Sequence, residues 1–142
     1  MAKTETRNIG VAAEKPQQAC YDIKCPFHGK LSVRGRQFTG AVVSAKMRKT
    51  AVIEFDRLNY IRKYERYEKR RTRLKAHNPD CINAKDGDVV NIMECKPLSK
   101  TKNFVIMQKL GMEKGFKEKM EARELSKVIK PAKEEAKAEE EK

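Results

Sequence analysis

Apolar and polar residues alternate in several short stretches of the chain, and a period of two residues is typical of β-strands that bury one face. The alternation is clearest in residues 50–58, where Ala51, Ile53 and Phe55 would point to a core and the side chains between them to solvent. A short cationic turn separates this stretch from residues 38–45, which also favour extended backbone. The pattern therefore predicts a hairpin of two strands.

Three further stretches complete the predicted strands. Residues 72–77 alternate a core face with a cationic face, and residues 89–93 and 104–110 are apolar runs that favour a half-buried strand. Gly40, inside the first strand, predicts a bulge or sharp bend of the kind that closes a barrel. Five short strands joined by basic loops predict an all-β fold, a five-stranded OB-fold-like barrel.

The segment between the second and third predicted strands, residues 57–75, is rich in arginine and tyrosine. Its first part predicts an amphipathic helical turn, because Tyr60, Tyr64 and Tyr67 fall at helical spacing. The tyrosines could pack a long loop onto the barrel, or form a finger in which arginines contact phosphates and an aromatic ring stacks on a base or sugar. We expect both, with most of the tyrosines structural.

The two ends of the chain lack the strand pattern. Residues 1–36 predict an N-terminal arm with a Cys/His turn and no core of its own, residues 37–110 the barrel, and residues 111–142 a charged C-terminal extension. The apolar residues of the extension share no continuous helical face, so a weak or broken helix is expected. Pro131 should end it, and a disordered tail should follow.

The net charge of the chain indicates what kind of partner it binds. The chain has 33 Lys and Arg against 20 Asp and Glu, a net charge of +13, which predicts binding to nucleic acid. Basic residues outnumber acidic ones in residues 37–110, whereas the two balance in residues 111–142. No stretch reads as a secretion signal or approaches the roughly 20 apolar residues of a membrane span, so we expect a cytoplasmic protein.

The connection between the last two predicted strands is cationic. Pro97 removes a backbone donor where the first of these strands should stop. The next residues supply hydroxyl and ammonium donors that suit phosphate oxygens, namely Ser99, Lys100, Thr101 and Lys102. The alternative is a solvated turn without a ligand.

Three residues with metal-binding side chains, Cys20, Cys25 and His28, fall within one turn. Zinc takes thiolate and imidazole ligands in tetrahedral sets of four, so these three predict part of a zinc site. The fold would have to supply the fourth ligand from Cys81, Cys95 or His77. The alternative is a tight turn with incidental thiols, and no cofactor is otherwise required.

Four segments together resemble the ribosomal protein S17 family in its archaeal and eukaryotic form. They are CPFHG with VRGR (25–36), GAVVSAKMRKTAVIEF (40–55), YIRKYERYEKRR (60–71) and ECKPLSKTKNF (94–104). The resemblance implies a barrel that binds small-subunit (16S) ribosomal RNA directly, supports subunit assembly and translation, and lies beside neighbouring small-subunit proteins on the cytoplasmic ribosome. It implies no catalysis, no small-molecule substrate and no membrane.

By matching positions, the resemblance implies RNA contacts from four basic elements. The side chains are Arg34 and Arg36; Lys46, Arg48 and Lys49; Arg62, Lys63, Tyr64, Arg66, Tyr67, Lys69, Arg70, Arg71, Arg73 and Lys75; and Ser99, Lys100, Thr101 and Lys102.

Two other functional classes stay open on the residues alone. A free single-strand-binding module would use the same barrel, but it needs exposed aromatic side chains, and this chain has 6% aromatic residues and no Trp. A nuclease or another zinc-dependent enzyme would need a histidine or carboxylate cluster with an open metal position. The two histidines do not form such a cluster in the sequence.

Overall fold

The computed structural model describes residues 6–11 and 13–126. Five strands dominate it: β1 (Val33–Met47), β2 (Thr50–Ile61), β3 (Arg66–His77), β4 (Asp88–Ser99) and β5 (Lys102–Met112). They form one closed sheet in the order β1-β2-β3-β5-β4, with β1 also paired to β4. All pairs are antiparallel except β3 with β5. The predicted all-β barrel of five strands is confirmed.

β1 closes the barrel because it is long enough to serve two neighbours. Its residues 33–41 pair with β4, and the strand pairs with β2 from Ala41 onward. Gly40 lies at this change of partner, where a Cβ atom would be 2.7 Å from the backbone oxygen of Glu54. The shift in register itself lies slightly later, between Val42 and Ser44. Glycine is therefore required for the close approach of β2.

The barrel interior takes buried side chains from every strand. They are Val42, Ala51, Ile53, Ala76, Val90, Ile92 and Ile106, joined by Ala84 from the β3–β4 link. Phe38 and Phe104 are half-buried against this cluster, and the Phe38 ring stacks on Phe55 with centroids 5.0 Å apart. The phenylalanines that could have offered a stacking platform are thus part of the barrel packing.

The outer face of β4 and β5 carries a second buried cluster, because the N-terminal segment covers it. Met93, Cys95, Val105 and Met107 point away from the barrel interior and pack against Cys20, Cys25, Phe27, Leu31 and Val33. Partly buried Ile9, Val11 and Ala13 pack on the same cluster. The N-terminal segment, residues 6–11 and 13–32 of the described chain, therefore shares a core with the sheet.

Two local expectations about the strands are wrong. β3 begins at Arg66, and only Arg62–Tyr64 is helical, as a single 3-10 turn. Tyr60 and Tyr67 are consequently paired across two strands. β4 continues through Pro97 to Ser99, with an irregular register after Glu94 that accommodates the missing N–H.

From Glu113 the chain forms a separate compact unit, of which residues 113–126 are described. Residues 116–126 are an unbroken α-helix with Phe116 and Met120 half-buried on one side. Pro131 and the predicted disordered tail lie outside the described residues. Within the described range, no helix has the length and apolar character needed to span a membrane.

Candidate nucleic-acid interface

The four predicted basic elements fall into two groups. Strand directions place the start of β1 and the β2–β3 connection at one end of the barrel, which we call the tip end. The β1–β2 turn and the β3–β4 link lie at the other end, which we call the turn end. The β4–β5 turn lies beside the β1–β2 turn, because β5 pairs with β3 only from Lys75 onward and Lys102 Nζ lies 3.3 Å from the Lys49 carbonyl oxygen.

The β2–β3 connection is a two-stranded projection. The strands pair without interruption from Thr50 opposite His77 to Ile61 opposite Arg66. β1 pairs with β2 only as far as Glu54, and β5 pairs with β3 only from Lys75. Residues 56–73, which we call the basic hairpin, therefore extend past their barrel neighbours.

One face of the basic hairpin joins aromatic and cationic side chains. Tyr60 and Tyr67 are directly opposite each other, with ring centroids 5.1 Å apart. Since side chains alternate along a strand, Lys69 and Arg71 follow Tyr67 on this face. The two rings are 48% and 69% exposed, so they do not pack a loop onto the barrel as expected. They offer stacking surface beside a row of cations.

Acidic neighbours engage only some of the hairpin cations. Glu54, half-buried at the hairpin base, lies 2.6 Å from Arg73 Nε and 3.9 Å from Arg71 Nη1. Arg70 Nε lies 2.7 Å from a Glu68 carboxylate oxygen. Within the described part of the chain, exposed Arg62, Lys63, Arg66 and Lys69 form no ion pair.

Sequence reasoning did not place Arg57 among the contact residues. The side chain is exposed, and its strand partner in register is Arg70. Like charges directly opposite on paired strands destabilise a hairpin unless an anion lies between them. Only strand register reveals this pair, since Arg57 and Arg70 are far apart in the sequence.

The β4–β5 turn presents Ser99, Lys100 and Thr101 to solvent. Lys102 points elsewhere: its Nζ donates hydrogen bonds to Thr50 Oγ1 at 2.8 Å and to the Lys49 carbonyl at 3.3 Å. Burial lowers the pKa of the Lys102 ammonium. Lys102 therefore attaches the β4–β5 turn to the start of β2.

Lys49 has a similar structural environment in the β1–β2 turn. Its Nζ lies 3.2 Å from Asp80 and 3.5 Å from Asp22, and the hydrogen bond to Asp80 raises its pKa. Lys46 and Arg48 remain exposed beside an open cleft of about 540 Å³ at the turn end. The turn thus offers two exposed cations and one that acidic side chains hold.

Arg34 and Arg36 are exposed at the start of β1. The Arg36 backbone N–H donates to Glu94 Oε2 at 3.2 Å, and its Nε lies 3.9 Å from the same oxygen. Of the predicted contact residues, all except Lys49 and Lys102 are exposed.

His77 was expected on the cationic face of the third strand, and the structure buries it. The exposed fraction is 1%, because the N-terminal segment covers this part of β3. His77 Nε2 lies 2.9 Å from Asp22 Oδ2, yet burial outweighs the carboxylate and lowers the pKa of His77. His77 therefore joins β3 to the N-terminal segment.

The Cys/His turn lies against the β3–β4 link. The potential ligand atoms of Cys20, Cys25, His28 and Cys81 all lie within 4.8 Å of one another. Cys95 is buried outside this set, and His77 is bound to Asp22. Of the three candidates for the fourth position, the fold brings only Cys81 to the other three.

Comparison with known proteins finds one family. The sequence profile of the family described as ribosomal protein S17 matches residues 40–108. The small ribosomal subunit protein uS17 of Methanocaldococcus jannaschii is 56% identical over 105 residues, 74% of this chain and 90% of the relative. The proteins of the same name from Methanococcus vannielii and Archaeoglobus fulgidus are 58% and 52% identical, over 72% and 75% of this chain and 94% and 96% of their own lengths.

Proposed function

The chain belongs to the ribosomal protein S17 family, and we propose that it binds small-subunit ribosomal RNA directly through the tip end of its barrel. The family is one of structural proteins, so the chain is a small-subunit component with a role in translation and not an enzyme. The proposal of direct RNA binding goes beyond membership of the family, and it rests on the charges and the exposed tyrosine rings of the tip end.

The basic hairpin is the observation that carries the proposal. A projecting pair of strands without a core gains little stability from its own side chains, and Arg57 opposite Arg70 costs stability. Phosphate groups would remove that repulsion, because each can accept hydrogen bonds from guanidinium or ammonium donors. Glu68 already contacts Arg70, and bound phosphate would stabilise the basic hairpin further.

The rings on the same face favour RNA over a featureless polyanion. Exposed Tyr60 and Tyr67 can stack on unpaired bases or sugars while Lys69 and Arg71 contact the adjacent backbone. Arg34 at the start of β1 and Lys100 in the β4–β5 turn would extend the contact along the RNA. The proposal includes contacts with neighbouring small-subunit proteins and a location on cytoplasmic ribosomes.

The test measures the affinity for purified small-subunit ribosomal RNA as a function of salt. Each phosphate contact contributes about 0.7 to 0.9 to the slope of log K against log salt, so Arg66→Ala, Lys69→Ala and Arg71→Ala together should reduce the slope by about 2. The matched control removes three exposed lysines elsewhere, Lys85→Ala, Lys114→Ala and Lys117→Ala, for the same change in net charge. Equal slopes for the two triple variants would contradict the proposal.

A further inference from the structure

We propose that Cys20, Cys25, His28 and Cys81 bind one Zn²⁺ ion and that this ion fastens the N-terminal segment to the barrel. The inference is independent of RNA binding, because the four residues are separate from the tip-end cations. It rests on the spacing of the four ligand atoms, the backbone that holds them, and the burial of the site.

Three of the six distances between the ligand atoms are close to those of a tetrahedral site. His28 Nδ1 lies 3.3 Å from Cys20 Sγ and 3.6 Å from Cys25 Sγ, and Cys25 Sγ lies 3.6 Å from Cys81 Sγ. Zn–S bonds of about 2.3 Å and Zn–N bonds of about 2.0 Å give ligand-to-ligand distances of about 3.5 to 3.8 Å in a tetrahedron. A disulfide would need the sulfurs at about 2.05 Å, much closer than Cys25 and Cys81 are.

The backbone of the turn holds two of the ligands, Cys25 and His28, before any metal arrives. Cys25 N–H donates to Asp22 C=O, Gly29 N–H to Cys25 C=O, and Lys30 N–H to Ile23 C=O, at 3.0, 2.9 and 3.1 Å. Gly29 is required, because a Cβ atom there would lie 2.3 Å from the Ile23 carbonyl oxygen. A turn this tight keeps the Cys25 and His28 side chains on one side, facing Cys20.

The site is shielded from solvent. Cys20 and Cys25 are buried, and Cys81 is half-buried. Thiols bind a metal ion as thiolates, so binding would release their protons. Cys95 is also buried but lies outside the ligand set. Soft sulfur and imidazole ligands in this geometry select Zn²⁺ over the hard cations Mg²⁺ and Ca²⁺.

A bound ion would connect segments that are distant in sequence. Cys81 lies in the β3–β4 link, 56 residues after Cys25. The N-terminal segment is held elsewhere by apolar contacts with β4 and β5 and by His77 with Asp22. Metal-binding free energy would add to folding free energy at this junction.

Zinc content is the first measurement. The full chain, purified under reducing conditions without added metal and then titrated with Zn²⁺, should bind one equivalent. Substitution by Co²⁺ should produce the charge-transfer and visible absorption of a tetrahedral thiolate site. Removal of the ion by a chelator should lower the thermal midpoint by on the order of 10 °C. A zinc ratio near zero after titration, or a Cys25–Cys81 disulfide found by mass spectrometry, would overturn the proposal.

Variants separate ligation from packing. Cys81→Ser should abolish stoichiometric binding, and His28→Ala should weaken it at least tenfold. His28→Cys should bind zinc, since it restores a fourth thiolate ligand. Cys95→Ser is the matched control, a buried thiol of the same core outside the ligand set, and should keep one equivalent. Loss of zinc from the Cys95 variant with retention by the Cys81 variant would contradict the ligand assignment.

Discussion

The β4–β5 and β2–β3 pairs are both long antiparallel hairpins, but their faces are covered to different extents. β4 and β5 bury both faces, with Ile92 and Ile106 in the barrel and Met93 and Val105 under the N-terminal segment. β2 and β3 are covered mainly on the barrel face, with His77 also buried at the end of β3, and no side chain is buried at their tip. Regular strand pairing therefore says little about the role of a hairpin, and what covers its faces decides it.

This difference in burial explains why β4 and β5 are rich in apolar residues and the basic hairpin is rich in charged ones. Strands covered on both faces consist of nearly continuous apolar runs, as in residues 104–107 and, apart from Asn91, in residues 89–93. A hairpin whose tip meets only solvent has no need for apolar residues, and cations can occupy both faces. The first pair contributes to stability and the second is free for binding.

Truncation of a core residue should have the largest effect. Ile92→Ala removes a fully buried side chain from the barrel and should lower the free energy of unfolding by about 3 kcal/mol. Leu58→Ala in the exposed hairpin should change it by about 0.5 kcal/mol or less. Chemical denaturation of both variants measures the contrast. Equal losses would show that the hairpin is packed in solution.

The second expected effect concerns the charge at the base of the hairpin. Glu54→Gln removes the carboxylate that contacts Arg71 and Arg73, so RNA affinity at low salt should rise about fivefold. Glu118→Gln, on the C-terminal helix, makes the same change in net charge and should have little effect. A fall in affinity for the Glu54 variant would show that Glu54 positions the arginines for binding.

The smallest effect is expected from the C-terminal unit. A chain that ends after Met112 retains all five strands and every basic element of the tip end. Its thermal midpoint and RNA affinity should match those of the full chain, because residues 113–142 balance acidic and basic side chains. A midpoint lowered by several degrees would assign this unit a stabilising contact.

Sequence alone determined the number of strands, the basic connections and three of the four proposed metal ligands. Alternation and apolar runs report burial directly, so residues 50–58, 72–77 and 104–110 identified their strands. The tyrosines of the basic hairpin misled that reasoning, because spacings of three and four residues suit a helix as well as the two sides of a tight hairpin.

Only the tertiary structure decided which side chains of the same charge bind other residues of the chain and which remain exposed. Lys102 and Lys49 have the same charge as Lys100 and Arg48, yet contacts with Thr50, Asp22 and Asp80 hold them in place. His77 and Cys81 likewise depend on the N-terminal segment that packs over β3 and the β3–β4 link. These contacts join residues tens of positions apart, and a local pattern carries no information about which distant side chain will lie opposite.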